Sequence, residues 1–135
     1  MQIQSNTFAF DPEPQYGSVV SVLVNNVSHP GIYVGGGFVI DNSQRDNGVK
    51  RIPMEVFRGG RKLRYHGFSG SLSPEQVVEN AYAAIGQAYD FYLFNCKDFV
   101  RMAQGRAWVS LLTKTAAVLA AGSVVYAGVK VARRA

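Results

Sequence analysis

The chain predicts an α+β domain: a small antiparallel sheet, one capped helix, one helix headed by a nucleophile, and a hydrophobic C-terminal helix. Three observations carry this expectation. Short β-branched runs are folded about a triple glycine, two segments open with strong helix caps, and the composition changes abruptly near Ala107. A length of 135 residues suits one domain with a sizeable core, and 47% hydrophobic with 17% charged residues suits a globular protein carrying one apolar segment. The expected division is an extended lead-in over 1–16, a thiol-enzyme domain over 17–105, and a basic-flanked hydrophobic helix over 106–135.

In chain order, residues 1–16 are mostly polar, with Pro12 and Pro14. Residues 17–24, Gly-Ser-Val-Val-Ser-Val-Leu-Val, read as a short buried strand. Asn25-Asn26 turns the chain. Two apolar strands then flank Gly35-Gly36-Gly37, a hairpin signature, with His29 entering the first strand and Asp41 closing the second. Asn47-Gly48 ends a polar surface loop, since both residues tolerate positive φ. Residues 49–52 are expected as a strand, 53–57 as a helical turn stopped by Gly59-Gly60, and 62–68 as a strand with Leu63, Tyr65 and Gly67 on one side. Ser73-Pro74-Glu75-Gln76 is a capping box with proline at the first helical position. Val77, Val78, Ala81, Tyr82, Ala84 and Ile85 then mark the buried stripe of a helix that Gly86 ends. Residues 89–94 are expected to pass over the core and deliver Asn95 and Cys96 to a second helix, running through Phe99, Val100 and Met102 to about Gly105.

The only cysteine, Cys96, follows Asn95, a good N-cap. In the first turn of a helix, unpaired N–H groups and the positive end of the dipole favour a thiolate over a thiol, which is how a nucleophile is made. A cysteine elsewhere is most often a small buried hydrophobe, but the polar neighbours Asn95, Lys97 and Asp98 argue for chemistry here. His29 is the candidate base. With the hairpin turn centred on Gly35, His29 and Asp41 stand side by side, and with it centred on Gly36 they are diagonal neighbours on one face; a histidine beside a carboxylate is the orienting half of a cysteine–histidine constellation. Asn42 takes the orienting role if the register slips by one. His66, with no carboxylate close in sequence, reads as structural. Two histidines and one cysteine lack paired ligand spacing, so no metal is expected, and no motif asks for a cofactor.

His29, the hairpin Tyr33-Val34-Gly35-Gly36-Gly37-Phe38-Val39-Ile40 and the element Asn95-Cys96-Lys97-Asp98-Phe99-Val100 together resemble the lecithin retinol acyltransferase-like family, also called H-box/NC proteins. The resemblance covers roughly residues 17–131 and is most specific in the hairpin and the Asn-Cys element. It implies the permuted papain-like arrangement, in which the histidine precedes the cysteine. It also implies acyl transfer or hydrolysis on a glycerophospholipid, with Cys96 as nucleophile, His29 as base and Asp41 as orienting residue. The chain departs from the family pattern at Pro30, where an aromatic residue is usual, at Asp41, where a second histidine stands, and at Lys97-Asp98, where Glu-His is common. An aspartate can orient a histidine as well as another imidazole can. Two rival classes fit the same residues: a cysteine peptidase or amidase, and a non-enzymatic membrane-interaction protein like the viral members of the family.

The net charge of +5 belongs to the tail. Up to residue 100 there are eight Lys or Arg against nine Asp or Glu, and beyond it six basic residues and no acid. Basicity is therefore no sign of a nucleic-acid surface on the folded domain. Seven cations within residues 45–64 read as a solvated loop face. One cysteine forms no intramolecular disulfide and no secretory leader is visible, so the domain is expected to face the cytoplasm. The uncharged run 115–129 spans about 22 Å at about 1.5 Å per residue, short of a hydrocarbon core near 30 Å. Extended back to Ala107, with Lys114 snorkelling and Trp108 at head-group level, it reaches membrane length. The expected partners are an acyl-ester lipid and a membrane engaged through this C-terminal helix.

Overall fold

The structure, a computed structural model, describes residues 11–106. The C-terminal segment expected as a membrane helix lies outside the described residues from Ala107 onward, as does the lead-in up to Phe10. Among the described residues five strands and three helices follow one another: β1 (Val19–Val24), β2 (Val27–Gly35), β3 (Phe38–Ser43), β4 (Gly48–Pro53), α1 (Met54–Arg58), β5 (Arg64–Gly67), α2 (Pro74–Ala83) and α3 (Cys96–Ala103). The strands form one antiparallel sheet in the order β4-β3-β2-β1-β5, so the class is α+β with a small antiparallel sheet. Among the described residues no helix is long and apolar enough to cross a membrane.

Strand alternation divides the apolar residues between two cores. Val19, Ile32, Val34, Ile40 and Val49 face α2 and α3, where Val77, Val78, Ala81, Phe99, Val100 and Ala103 meet them. Val20, Val22, Tyr33, Val39 and Ile52 face the other way and pack with Phe57 of α1 and Leu63. Residues 11–13 strap this second face. Asp11 pairs with Arg58 at 2.7 Å, Tyr33 donates its hydroxyl to Glu13, and Tyr65 donates to the Pro12 carbonyl. Arg58 is thus a buried ion-pair partner, 8% exposed, rather than part of the solvated basic face expected over residues 45–64.

Three further local expectations are corrected. Helix α2 carries the capping box at Ser73 and Gln76, but it ends at Ala83, and Tyr82 and Ile85 are exposed. The reason is that Gly86 donates its N–H to the Val49 carbonyl, which draws the chain to β4 and ends the helical phase after Ala84. Strand β5 is shorter than expected, and Tyr65 is exposed because β5 is an edge strand paired only with β1. Of residues 89–94, Phe94 packs against the core, whereas Phe91, Tyr92 and Leu93 turn away from it. Asp90 Oδ1 accepts from the N–H groups of Tyr92 and Leu93, at 3.0 and 2.8 Å, and Asp90 and Phe94 exchange backbone hydrogen bonds, so the segment closes into a tight loop. That loop turns Phe91 outward to 78% exposure.

The β2–β3 hairpin sets the geometry of everything that follows. Gly36 and Gly37 have φ of 61° and 83°, the positive values that a two-residue turn matching the strand twist requires, and Gly35 pairs with Phe38. The register then shifts: Tyr33 pairs with Val39 and Ile32 with Ile40. The residue that the shift leaves without a partner is Val34, and Gly35, which follows it, has a φ of 88°, open to glycine and strained for other residues. Without that shift Asp41 would lie opposite Ile32, with its side chain on the face away from His29. With it, the register of Ile32 with Ile40 puts Asp41, one residue on, in phase with Gly31 and so on the face of His29. Gly35→Ala is therefore expected to cost about 1–2 kcal/mol, the penalty of a side chain in the left-handed region. It should also disturb the His29 ring resonances, and a variant as stable as the parent with an unchanged histidine spectrum would contradict this account of the bulge.

Candidate active site

His29 sits in β2 opposite Val22 of β1, and Asp41 sits in β3 opposite Lys50 of β4. The pairing between β2 and β3 runs only from the turn to Ile32 and Ile40; beyond it β2 stays with β1 and β3 with β4. At this parting His29 Nε2 lies 2.8 Å from Asp41 Oδ2. Asp41 is 1% exposed, and His29 is its one hydrogen-bond partner among the described residues. Phe57 backs the imidazole, ring centres 5.7 Å apart. Gly31 makes room for that ring, since a Cβ there would stand 2.7 Å from Val39 Cγ1 and 3.0 Å from Phe57 Cε1.

Cys96 is the first residue of α3 and partly exposed. Asn95 caps the helix: its side-chain oxygen accepts from the N–H groups of Lys97 and Asp98 at 3.0 and 3.1 Å, while Asp98 returns a carboxylate to the Asn95 N–H at 3.1 Å. Asp98 is therefore a buried part of the mount rather than a polar surface neighbour. Asn42 completes the mount. Its side-chain amide donates to the carbonyls of Phe94 and Asn95, at 2.8 and 3.2 Å, so β3 grips the chain immediately before Cys96. Asn42 thus does not orient His29, the alternative open on sequence; strand alternation sends it to the helix side while Asp41 takes the histidine.

The three sequence-predicted residues come together at the parting of β2 and β3. With Nε2 held by Asp41, Nδ1 is the ring nitrogen left for the thiol. Burial, the largest influence, pushes the imidazole down; the hydrogen bond and charge of Asp41, joined by the side chain of Cys96, outweigh it and raise the pKa to about 9. His29 is then an imidazolium at neutral pH, and its charge offsets the buried carboxylate. His66 stands apart from this group, its Nε2 2.6 Å from Ser21 Oγ, tying β5 to β1. Among the described residues no group of three or more His, Cys, Asp or Glu converges as metal ligands would.

Sequence reasoning missed three contributors. Tyr89 was only part of an aromatic run, yet burial and then the charges of Cys96, Asp98 and Asp90 hold its hydroxyl above the usual tyrosine range. Phe57 was expected only as the end of a helical turn, with no part in the site. Asn42 was considered for the wrong partner. A buried polar residue following the orienting aspartate in a strand was the available signal for Asn42, because it must find a partner on the opposite face.

Two outcomes are expected. Since the folded-state pKa of His29 lies above the unfolded value of 6.5, the ion pair contributes fully below about pH 6.5 and its contribution is lost as pH rises through about 9. The loss should reach up to about 3 kcal/mol. Denaturation curves across that window should show the decline in the parent and a much smaller one in Asp41→Asn, whose histidine resonance should titrate well below 9. An ordinary imidazole titration in the parent would refute the ion pair. Separately, Asn42→Ala leaves the Phe94 and Asn95 carbonyls without their donor and should cost about 1–3 kcal/mol. Amide exchange at Lys97 and Asp98 should rise with it, and unchanged exchange would remove Asn42 from the mount.

Comparison of the chain with models of known families and with curated proteins finds no match.

Proposed function

We propose that this protein is a cysteine-dependent lipid acyl hydrolase or acyltransferase of the permuted papain-like kind. The observation that carries the reading is the buried His29–Asp41 pair, 2.8 Å apart, set beside a cysteine at the head of a capped helix. The order of histidine strand before cysteine helix along the chain supports the permuted arrangement. Phe91, Tyr92 and Leu93, exposed on the loop that leads into Cys96, support a lipid substrate, because large apolar side chains left in water beside a nucleophile suit contact with acyl chains or a bilayer surface.

In this mechanism the Cys96 sulfur attacks the carbonyl carbon of an acyl ester and forms a thioester. The carbon–oxygen bond to the glycerol breaks, and the leaving alkoxide takes the proton held on His29. Water or a second acceptor then gives its proton to His29 and attacks the thioester, releasing the acyl group and restoring the thiolate. The Cys96 N–H, which the Asn95 cap leaves unused, is a donor for the developing oxyanion. Asp41 keeps the imidazole oriented and stabilises its charge throughout. Residues 106–135, with five cations and no acid, would hold the domain at a membrane.

The test is lipid mass spectrometry of purified protein incubated with mixed glycerophospholipids. Loss of an acyl chain, or its transfer to an acceptor, is expected for the parent and not for Cys96→Ala. Asp41→Asn should be slower by about 10²–10⁴-fold, the range by which a misoriented base slows catalysis. Product formation by Cys96→Ala equal to the parent would sink the proposal, as would an inert parent that acylates no lipid and labels no thiol probe.

A further inference from the structure

A groove of about 290 Å³ runs along α3 on the side facing β1 and β5. It borders the dyad through sequence neighbours: Pro30 follows His29, and Lys97 follows Cys96, and both line it. Its charge is one-sided. Lys97, Arg101 and Arg106 line it together with His66, and no acidic side chain does. Lys97 and Arg101 lie one helical turn apart and so present to the same side of α3. The nearest acid, Asp98, is buried, its Oδ2 is committed to the Asn95 N–H, and its Oδ1 stands 3.9 Å from Arg101, a loose contact. Lys97 and Arg106 have no acidic partner among the described residues; Arg106 donates to Ser69 Oγ at 3.1 Å, which holds the guanidinium at the rim. Gln104, 4% exposed, also lines the groove, and its side-chain amide makes no hydrogen bond within the described protein.

A small concavity lined by three cations and no acidic side chain carries a positive potential that favours an anion. A phosphate meets this condition, offering charge to the guanidinium and ammonium groups and acceptor oxygens to an amide. The volume is at the small end of ligand pockets, roughly 300–1,000 Å³, so it suits a headgroup and not a whole lipid. We propose that this groove takes the phosphate of the substrate and thereby places its acyl ester against Cys96. The inference rests on the acyl-transfer reading and narrows it: the preferred substrates are phosphate-bearing acyl esters, with the acyl chain directed away from the groove toward the Phe91 loop. Lys97 then acts as a specificity residue.

The experiment follows backbone amide and histidine resonances of the full chain carrying Cys96→Ala, titrated separately with inorganic phosphate, glycerol phosphate, a short-chain glycerophospholipid below its micelle concentration, and the matching diacylglycerol. Shifts centred on Lys97, Arg101, Gln104 and His66 are expected with each phosphate compound and not with diacylglycerol. Tighter binding of the glycerophospholipid than of inorganic phosphate would identify the headgroup as the natural source; equal binding would identify a free phosphate ester. In the combined variant Lys97→Gln, Arg101→Gln, affinity for the phosphate compounds should fall by roughly tenfold or more, and Lys97→Arg should retain it. Chemical-shift dispersion in the same spectra reports whether each variant folds. Absence of shifts with every phosphate compound, or equal shifts with diacylglycerol and phospholipid, overturns the inference. Turnover of the parent against Cys96→Ala reads the thiol chemistry independently, so phosphate binding without thiol-dependent turnover would keep the groove and discard the acyl-transfer reading.

Discussion

The register of the β2–β3 hairpin is the constraint on which the rest depends. A strand has a side-chain period of two, so a shift of one residue sends every side chain to the opposite face. The bulge at Val34, between Tyr33 and Gly35, is that shift. It puts Asp41 on the face of His29 and Asn42 on the face of the helices, two adjacent residues with two separate tasks. One contacts His29 and the other holds the chain that carries Cys96. A single glycine with φ of 88° thus couples the orientation of the imidazole to the placement of Cys96.

Electrostatics and packing reinforce each other at that point. A carboxylate at 1% exposure is unfavourable alone, and the protonated His29 is what makes it tolerable. The imidazolium in turn is held in a fixed pose by Phe57, whose ring reaches the strand because Gly31 has no side chain. The second core, strapped by residues 11–13, supports Phe57 from behind, while the first core seats α3 through Phe99 and Val100. The two faces of the sheet therefore each supply one half of the site, and they meet where β2 and β3 part.

Around this rigid centre the surface is uneven. On one side the loop after Asp90 exposes aromatic side chains, and along α3 the groove collects cations. An amphipathic acyl ester has the same two-ended character. The correspondence is chemical rather than a consequence of fold, since a sheet and three helices fix no substrate by themselves.

Much of the local structure was legible in the sequence. The capping box at Ser73, the cap at Asn95, the Asn25-Asn26 and triple-glycine turns and the strands they connect all follow from short-range chemistry, in which a side chain satisfies a backbone group a few residues away. For the same reason His29, Asp41 and Cys96 could be named: one hairpin brings the first two together, and one cap presents the third. What the sequence left open was decided by contacts between distant residues. The hairpin register hung on a one-residue bulge that composition does not reveal, the turn of residues 91–93 away from the core on where Asp90 directs its carboxylate, and the burial of Arg58 on Asp11 far back in the chain. The partner of Asn42, the ring behind His29 and the cationic groove likewise exist only once β3, α1, α3 and β5 are packed, because each joins groups that no local pattern relates.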